Sequence, residues 1–333
     1  MPLAERAGRL PQWIKAAGVV VALTAAVCIV LLAFSLPALK SSPRDVPIGL
    51  AGPGAVTSQV ERALGEAAPS AFAITIYPDE QALSHAIRDR QVYGGLSFGR
   101  LGQTVLIATA ASPAVAGLIV TAGTGLAART GAHTKTIDLR PLPAADPRGA
   151  GLALAGLPIA LWGVLGAVII LNRFRRRTWM TASIAIVFAL SASSAVTAIL
   201  TYWFGSIGDD FWRVDLGLAL GMSAISLTIL GLESVAGRAG VVLGGVTIFL
   251  IGNQLSGTTS APELLPAPWG EIGQRLPAGA NGQLLRSTAY FGGAGSAAPM
   301  LILIAWLLFG LGLCSVSSLL RWRARSKARP VGP

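Results

Sequence analysis

A cluster of arginines is the part of this sequence with the clearest potential for chemistry. Four positions within a stretch of five hold this residue: Arg173, Arg175, Arg176 and Arg177. Guanidinium groups pair bidentately with carboxylates, so the cluster is a candidate contact for a cytoplasmic protein. Because cytoplasmic loops of membrane proteins are enriched in arginine and lysine, the same residues are also a signal for membrane orientation. The sequence leaves both interpretations open.

The other residues with reactive side chains are few. The chain holds two histidines, His85 and His133, and two cysteines, Cys28 and Cys314. His85 lies in a charged helical stretch, which predicts an exposed position, and His133 lies in a Gly-Ala loop beside Lys135. The cysteines lie in apolar runs, which predicts buried side chains and neither a metal site nor a disulfide. Motifs of serine hydrolases, zinc hydrolases and phosphate-binding loops do not occur, so we expect no enzymatic activity and no cofactor.

The composition indicates that lipid surrounds most of the chain. Hydrophobic residues make up 53% of the sequence and charged residues 12%, whereas soluble domains carry about 25% charge. A membrane-spanning helix needs about 20 apolar residues. Six runs approach that length: 16–36, 151–171, 179–203, 216–232, 241–255 and 298–320. The fourth and fifth are the shortest.

The distribution of charge predicts the orientation of these six spans. With both termini in the cytoplasm, the cytoplasmic segments hold 13 of the 26 basic residues and 2 of the 15 acidic residues. The net charge of +11 then lies entirely on one side of the membrane, as positive-inside topology requires. We therefore expect a multi-pass protein of the inner (plasma) membrane, and the basic residues are explained without nucleic-acid binding.

The fold class predicted is a helical polytopic membrane protein with an extracytoplasmic α/β domain between the first and second spans. Residues 40–150 alternate between strand and helix patterns in the order β-α-β-α-β-β-α-β, with Asp79 as a helix N-cap and Pro113 in the first turn of another helix. The division of the chain is 1–39, 40–150, 151–255, 256–297 and 298–333.

Two further stretches invite interpretation. Residues 256–297 are too polar and rich in proline to span, and their recurring apolar residues predict short helices at the outer surface, with Trp269 as an interface anchor. The third span contains Ser191, Ser193 and Ser194, which suit close helix packing as well as a polar translocation path. Asp215 is expected at the outer membrane face, since no charged residue falls at the centre of a span.

At this level the chain resembles the type-two ABC exporter permeases, in the branch of the phage-infection-protein family. The similarity rests on three short stretches: residues 82–96, Ala111-Ser-Pro-Ala114, and the loop from Gly252 through Leu265-Pro266 to Leu276-Pro277. The resemblance implies two permease chains working with two cytoplasmic ATPase subunits to export a lipid, a drug or a cell-envelope molecule. The arginine cluster would then contact the ATPase.

A second hypothesis stays open beside that one. The chain would be a non-transporting scaffold or receptor of the cell envelope, with an outer domain that binds a partner. Membrane lipid is a partner under both hypotheses, whereas a cytoplasmic ATPase and a second copy of the chain belong to the first.

Overall fold

The computed structural model describes residues 11–39, 41–100, 102–174, 178–208, 210–258 and 260–327. The first described element is α1, a helix of 28 residues, Gln12–Leu39. In the described part of the chain, four later helical stretches are long and apolar enough to cross a membrane: Ala150–Phe174, Thr178–Trp203, Phe211–Ala236 and Ala297–Arg323. The chain is therefore a multi-pass helical membrane protein.

An α/β unit follows α1. Its elements in chain order are β1 (Val46–Ala51), α2 (Gly54–Ala67), β2 (Phe72–Tyr77), α3 (Glu80–Arg88), β3 (Gly94–Gly99), β4 (Gly102–Ile107), α4 (Pro113–Thr130) and β5 (Thr134–Asp138). This is the order of strands and helices that the sequence predicts. The predicted cap is present as well, because the Asp79 carboxylate accepts a hydrogen bond from Ala82 N at 2.7 Å.

The sheet of this unit is mixed, with strand order β2-β1-β3-β4-β5. The strand β1 runs parallel to β2 and β3, β3 and β4 form an antiparallel hairpin, and β5 runs parallel to β4. Neighbouring residues of a strand point to opposite faces, so Val105 packs with α2 and α4 while Leu106 packs with α3. Both faces of the sheet are therefore covered by helices.

The bundle is built from the helices that follow. These are α5 (Ala150–Phe174), α6 (Thr178–Ala198) with a π-helical end Ile199–Trp203, α7 (Phe211–Ala236), and α8 (Arg238–Gly245) with a π-helical continuation Val246–Gly252. The 15 residues of the last pair rise about 22 Å at 1.5 Å per residue. That length is less than the hydrocarbon core of about 30 Å, so the fifth predicted span is shorter than a full crossing.

The helix α7 lies at the centre of the bundle, in contact with α5, α6 and α8. Most of its residues from Val214 to Gly231 are buried. Its backbone approaches that of the last helix closely, because a Cβ on Gly310 would overlap the carbonyl group of Leu227. Small residues allow such contact between helices in lipid, so the interior of the bundle is filled by side chains and backbone.

The connecting segment, residues 253–296, joins the bundle to the α/β unit. It contains a 3-10 turn Pro262–Leu264, α9 (Trp269–Arg275) and α10 (Pro277–Tyr290), and it leads into α11 (Ala297–Lys327). The helix α9 carries the exposed Trp269, as predicted for an interfacial helix, whereas α10 is buried against α7 and α11.

The connecting segment also completes the core of the α/β unit. Ala261 and Leu264 pack with strand residues on one face of the sheet, and Phe291 packs with α3 on the other. The unit is therefore built from two parts of the chain that are more than a hundred residues apart.

Exposed aromatic residues mark both ends of the bundle. Tyr202 and Trp212 lie at the end that carries the α/β unit, while Trp179 and Trp322 lie at the opposite end. The positions from Trp179 to Tyr202 along α6 and its π-helical end span about 35 Å. Tryptophan and tyrosine concentrate at membrane surfaces, so the two groups suit the two surfaces of a bilayer, while Trp162 in the middle of α5 is also 49% exposed.

Candidate functional site

A cleft of about 690 Å³ opens where the α/β unit meets the connecting segment. The unit contributes Arg90 and Tyr93, and the connecting segment contributes Glu263 and Gln283. The first turns of α11 supply an apolar wall that includes Ile302. We call the region formed by Arg90, Tyr93, Glu263, Gln283 and Arg286 the junction, because it holds several of the polar contacts between the two parts of the chain.

Arg90 is positioned by the turn that ends α3. Its backbone has φ of 60°, a left-handed conformation that directs the chain sharply into β3. The guanidinium group crosses to α10, where it donates to the backbone oxygen of Gln283 at 3.2 Å, to Gln283 Oε1 at 2.6 Å and to Ser287 Oγ. One arginine side chain thus makes three hydrogen bonds between the α/β unit and α10.

Tyr93 and Glu263 form the second polar contact of the junction. The Tyr93 hydroxyl donates to Glu263 Oε2 at 2.9 Å. Burial is the largest cause that raises the pKa of Tyr93, and the neighbouring Glu263 carboxylate raises it further. The phenol therefore stays protonated and remains a donor. The backbone of Glu263 is fixed too, because its carbonyl oxygen accepts from Arg44 N at 3.0 Å.

Arg286 lies behind the cleft and is 8% exposed. Its guanidinium group donates to the backbone oxygen of Thr258 at 2.8 Å, and burial lowers the pKa of Arg286. Burial and the charge of Arg286 together lower the pKa of Arg90 to about 10. Arginine side chains are not deprotonated in proteins, so two charged guanidinium groups share a region in which Glu263 is the neighbouring carboxylate.

Phe291 stacks against the arginines on the α/β side. Its ring centroid is 5.2 Å from the Arg90 guanidinium carbon and 5.9 Å from that of Arg140. The ring is 3% exposed, and cations within about 6 Å of an aromatic centroid are attracted by the ring quadrupole. The ring therefore helps to hold Arg90 in place and contributes no formal negative charge.

Two small cavities of about 10 and 30 Å³ flank Arg286 and Thr258. The first also borders Asn281, whose side-chain oxygen is buried without a hydrogen-bond partner in the described residues. The second borders Tyr290, whose hydroxyl is buried and similarly without a partner there. A cavity of about 10–15 Å³ on this measure holds one water molecule, so water fits beside both groups.

The arginine cluster predicted from the sequence lies at the other end of the bundle. Arg173 is exposed in the last turn of α5, 5.6 Å from the Phe174 ring centroid. Arg175, Arg176 and Arg177 lie outside the described residues. The structure thus separates Arg173 from the cleft by the length of the bundle.

The remaining candidates carry no site. His85 is exposed, as the sequence predicts, and His133 is exposed as well. Cys314 is buried as predicted, but Cys28 is exposed on α1, because its helix face has no protein neighbour at that position. In the part of the chain that the structure describes, no three side chains of His, Cys, Asp or Glu are grouped to hold a metal ion.

A buried carboxylate in the bundle was missed by the sequence interpretation. Asp215 is 6% exposed, and its two carboxylate oxygens accept hydrogen bonds from Ser193 Oγ at 2.6 Å and Ser194 Oγ at 2.9 Å. Two of the three serines that suggested packing or a translocation path, Ser193 and Ser194, therefore donate hydrogen bonds to this charge. A signal was present, because ionisable residues inside spans usually have polar partners on a neighbouring helix.

Comparison with known proteins gives no match to a family model, to a curated protein or to a solved structure. The function is therefore inferred from the geometry of the junction and from the membrane architecture.

Proposed function

We propose that this chain is the membrane-spanning permease subunit of an ABC-type exporter that moves a lipid or another cell-envelope molecule. The proposed topology has cytoplasmic termini, an extracytoplasmic α/β domain and six passages through the membrane, of which the fifth is made by the short helical pair Arg238–Gly252. A separate subunit supplies ATP hydrolysis, and a second copy of the chain completes the pathway. The single observation that carries the proposal is the cleft of about 690 Å³ beside the end of α11.

The position of the cleft suits a transporter of amphiphiles. Ligand pockets commonly enclose about 300–1,000 Å³, and this one combines charged residues with an apolar wall. The apolar wall belongs to α11, one of the membrane-length helices. A molecule with a polar head and an apolar tail could therefore enter from the membrane surface without leaving lipid completely.

The contacts of α7 offer a route for coupling the cleft to a cytoplasmic ATPase. The helix α10, which holds Arg90 through Gln283, packs on the first half of α7, where a Cβ on Gly217 would lie 3.5 Å from Leu284. The other end of α7 lies beside the end of α11, where Ser317 Oγ donates to Ser234 O at 2.7 Å. A movement imposed at the cytoplasmic end would be transmitted to α10 because the packed helix between them is rigid.

The topology is tested with single cysteines at Ser58 and Ser326 in a chain with Cys28 and Cys314 replaced by alanine. Ser58 is exposed on α2. A membrane-impermeant thiol reagent, applied to intact cells with a permeable outer envelope, should label position 58 and leave position 326 unlabelled. Labelling at 326 alone would reverse the proposed orientation.

The transport assignment is tested by purifying the tagged full-length chain from its native membranes. We expect an ATPase subunit to co-purify, and recovery of that subunit should fall when Arg175 and Arg176 are both replaced by glutamine. The matched control, Arg325→Gln with Lys327→Gln, removes two positive charges from the C-terminal tail and should leave recovery unchanged. Purification without any nucleotide-hydrolysing subunit would contradict the proposal.

One observation favours the alternative, a receptor or scaffold of the cell envelope. The interior of the bundle is filled around α7 in the described residues, as expected of a static anchor, whereas a transporter would need its route to lie between two copies. If the chain is a receptor, cross-linking in membranes will join the α/β unit to an envelope partner and no ATPase will be recovered.

A further inference from the structure

We propose that the cleft binds the phosphate-bearing headgroup of an anionic membrane lipid. The proposal rests on the proposed function only in taking the cleft as the ligand site, and it adds the chemical class of the ligand. The charge balance of the junction indicates an anion, and the surroundings of its opening indicate a lipid.

Charge at the junction is unbalanced. Arg90 and Arg286 bring two positive charges, and the neighbouring Glu263 brings one negative charge that is already bonded to Tyr93. The other charged residues that line the cleft balance one another, two basic (Arg44 and Arg275) against two acidic (Asp45 and Glu271), so the excess is the one positive charge that Arg286 adds from behind the cleft. In the described part of the chain, neither guanidinium group has a carboxylate within the 4.0 Å of an ion pair. A buried charge without a partner is strongly unfavourable. A bound anion would supply the missing charge.

The acceptors that Arg90 already has leave room for such an anion. Its terminal nitrogens donate to the oxygens of Gln283 and Ser287, all of which are neutral. Arginine presents five N–H donors in a planar fork that matches the geometry of phosphate. Because Arg90 lines the cleft, its remaining donors are within reach of a phosphate group there.

The surroundings of the cleft indicate a lipid as the source of that phosphate. Pro299 and Ile302, in the first turns of α11, line the cleft. Met300 and Leu301 on the same helix are 42% and 64% exposed, and Trp269 on α9 is an exposed aromatic residue of the type found at membrane surfaces. A headgroup in the cleft would therefore have its acyl chains beside α11.

The test measures lipid binding to the purified full-length chain by native mass spectrometry in a mild detergent. Both phosphatidylglycerol and phosphatidylcholine carry a phosphate, but the choline cation of the second lipid cancels its negative charge and would face the two arginines. Phosphatidylglycerol should therefore bind about tenfold more tightly than phosphatidylcholine. Millimolar inorganic phosphate should not displace it. Equal binding of the two lipids would overturn the proposal, and displacement by inorganic phosphate would show that a soluble phosphate is the ligand instead.

Two substitutions with opposite expected effects locate the site. Arg90→Gln should weaken binding of phosphatidylglycerol about tenfold, and Glu263→Gln should strengthen it because the amide removes the competing negative charge. Arg62→Gln, at an exposed position on α2, is the matched control and should change nothing. A gain of binding cannot result from misfolding, so Glu263→Gln decides the question even if Arg90→Gln fails to fold. Unchanged or weaker binding by Glu263→Gln would overturn the proposal.

The two proposals fail separately. The lipid assay needs no ATPase, so a chain that binds phosphatidylglycerol but recovers no ATPase would refute the exporter and retain the lipid site. A chain that recovers its ATPase but does not discriminate between the lipids would retain the exporter and refute the lipid site.

Discussion

The bundle and the junction both bury charged side chains, yet they surround them differently. In the bundle, each carboxylate oxygen of Asp215 accepts a hydrogen bond from a serine of the neighbouring helix. At the junction, Arg90 and Arg286 donate to neutral oxygens and share Glu263 as the nearby opposite charge. The comparison suggests that the first charge holds two helices together, whereas the second group is arranged for a ligand that is itself charged.

Removing the donors of Asp215 should have the largest effect on stability. The double substitution Ser193→Ala with Ser194→Ala leaves a buried carboxylate without its two hydroxyl partners, and each hydrogen bond to a charged group is worth about 1.5–3 kcal/mol. Thermal unfolding of the purified chain in detergent should show the loss. Ser191→Ala is the control, because Ser191 is exposed and bonds only to its own helix. A double variant as stable as the control would show that the hydrogen bonds of Asp215 do not stabilise the bundle.

Replacing Asp146 should have an intermediate effect on stability, and the size of this effect should depend on pH. It lies before α5 and accepts hydrogen bonds from Ala150 N, Gly151 N and Ser206 Oγ at 2.8, 2.8 and 2.7 Å. Burial raises the pKa of Asp146, but Ser206 and the amides of residues 149–151 outweigh burial, so that pKa lies below its ordinary value of 3.8.

The sign of the pH effect follows from that direction. Because the carboxyl has a lower pKa in the folded state, its stabilisation is present above pH 3.8 and disappears as pH falls through the folded-state pKa. Asp146→Asn should therefore lose about 1–2 kcal/mol at neutral pH, and the difference from wild type should shrink below about pH 4. Melting temperatures across this range check it, with the exposed Asp89→Asn as control. A difference that does not vary with pH would contradict the assignment.

Replacing Arg286 should have the smallest effect on stability. Exchanging a buried charge for an apolar side chain of similar volume is often neutral or stabilising, so Arg286→Met should lie within about 1 kcal/mol of wild type or above it in lipid-free detergent. The same melting experiment measures this. A loss of more than about 3 kcal/mol would place Arg286 with Asp215 as a structural charge and remove the contrast between the two regions.

The α/β unit shows how much of this architecture is determined by residues that are close together in the sequence. Its elements were predictable because each strand and helix carries its own periodicity, and because Asp79 and Ser112 mark helix starts within three residues of the amides that they cap. The apolar runs likewise predicted the four membrane-length helices of the described residues, whereas the run at 241–255 corresponds to a shorter helix. The contribution of Phe291 to the core could not be predicted, since an apolar residue in a polar loop does not reveal which surface it will cover.

The site itself was not predictable for a related reason. Arg90 bonds to Ser287, which lies 197 positions away, and each residue alone is an ordinary polar side chain of a helix end. Asp215 shows the same limit, because its partners lie 21 and 22 positions earlier, and only the relative rotation of α6 and α7 brings them together. Residues 173–177 stood out because their charges are adjacent in sequence, which is the kind of site that a sequence displays most readily.

The two-part construction of the α/β unit has a consequence for biosynthesis. The ribosome adds about 5–20 residues per second, so Phe291 is made roughly 8–30 seconds after β5 ends at Asp138. During that interval the sheet and α3 are present, but the residues that close the core on both faces are not. The newly made unit therefore waits with apolar surface uncovered until the connecting segment arrives. Chaperones that bind exposed apolar surface should recognise the chain in this window, and a chain truncated before residue 261 should remain bound to them.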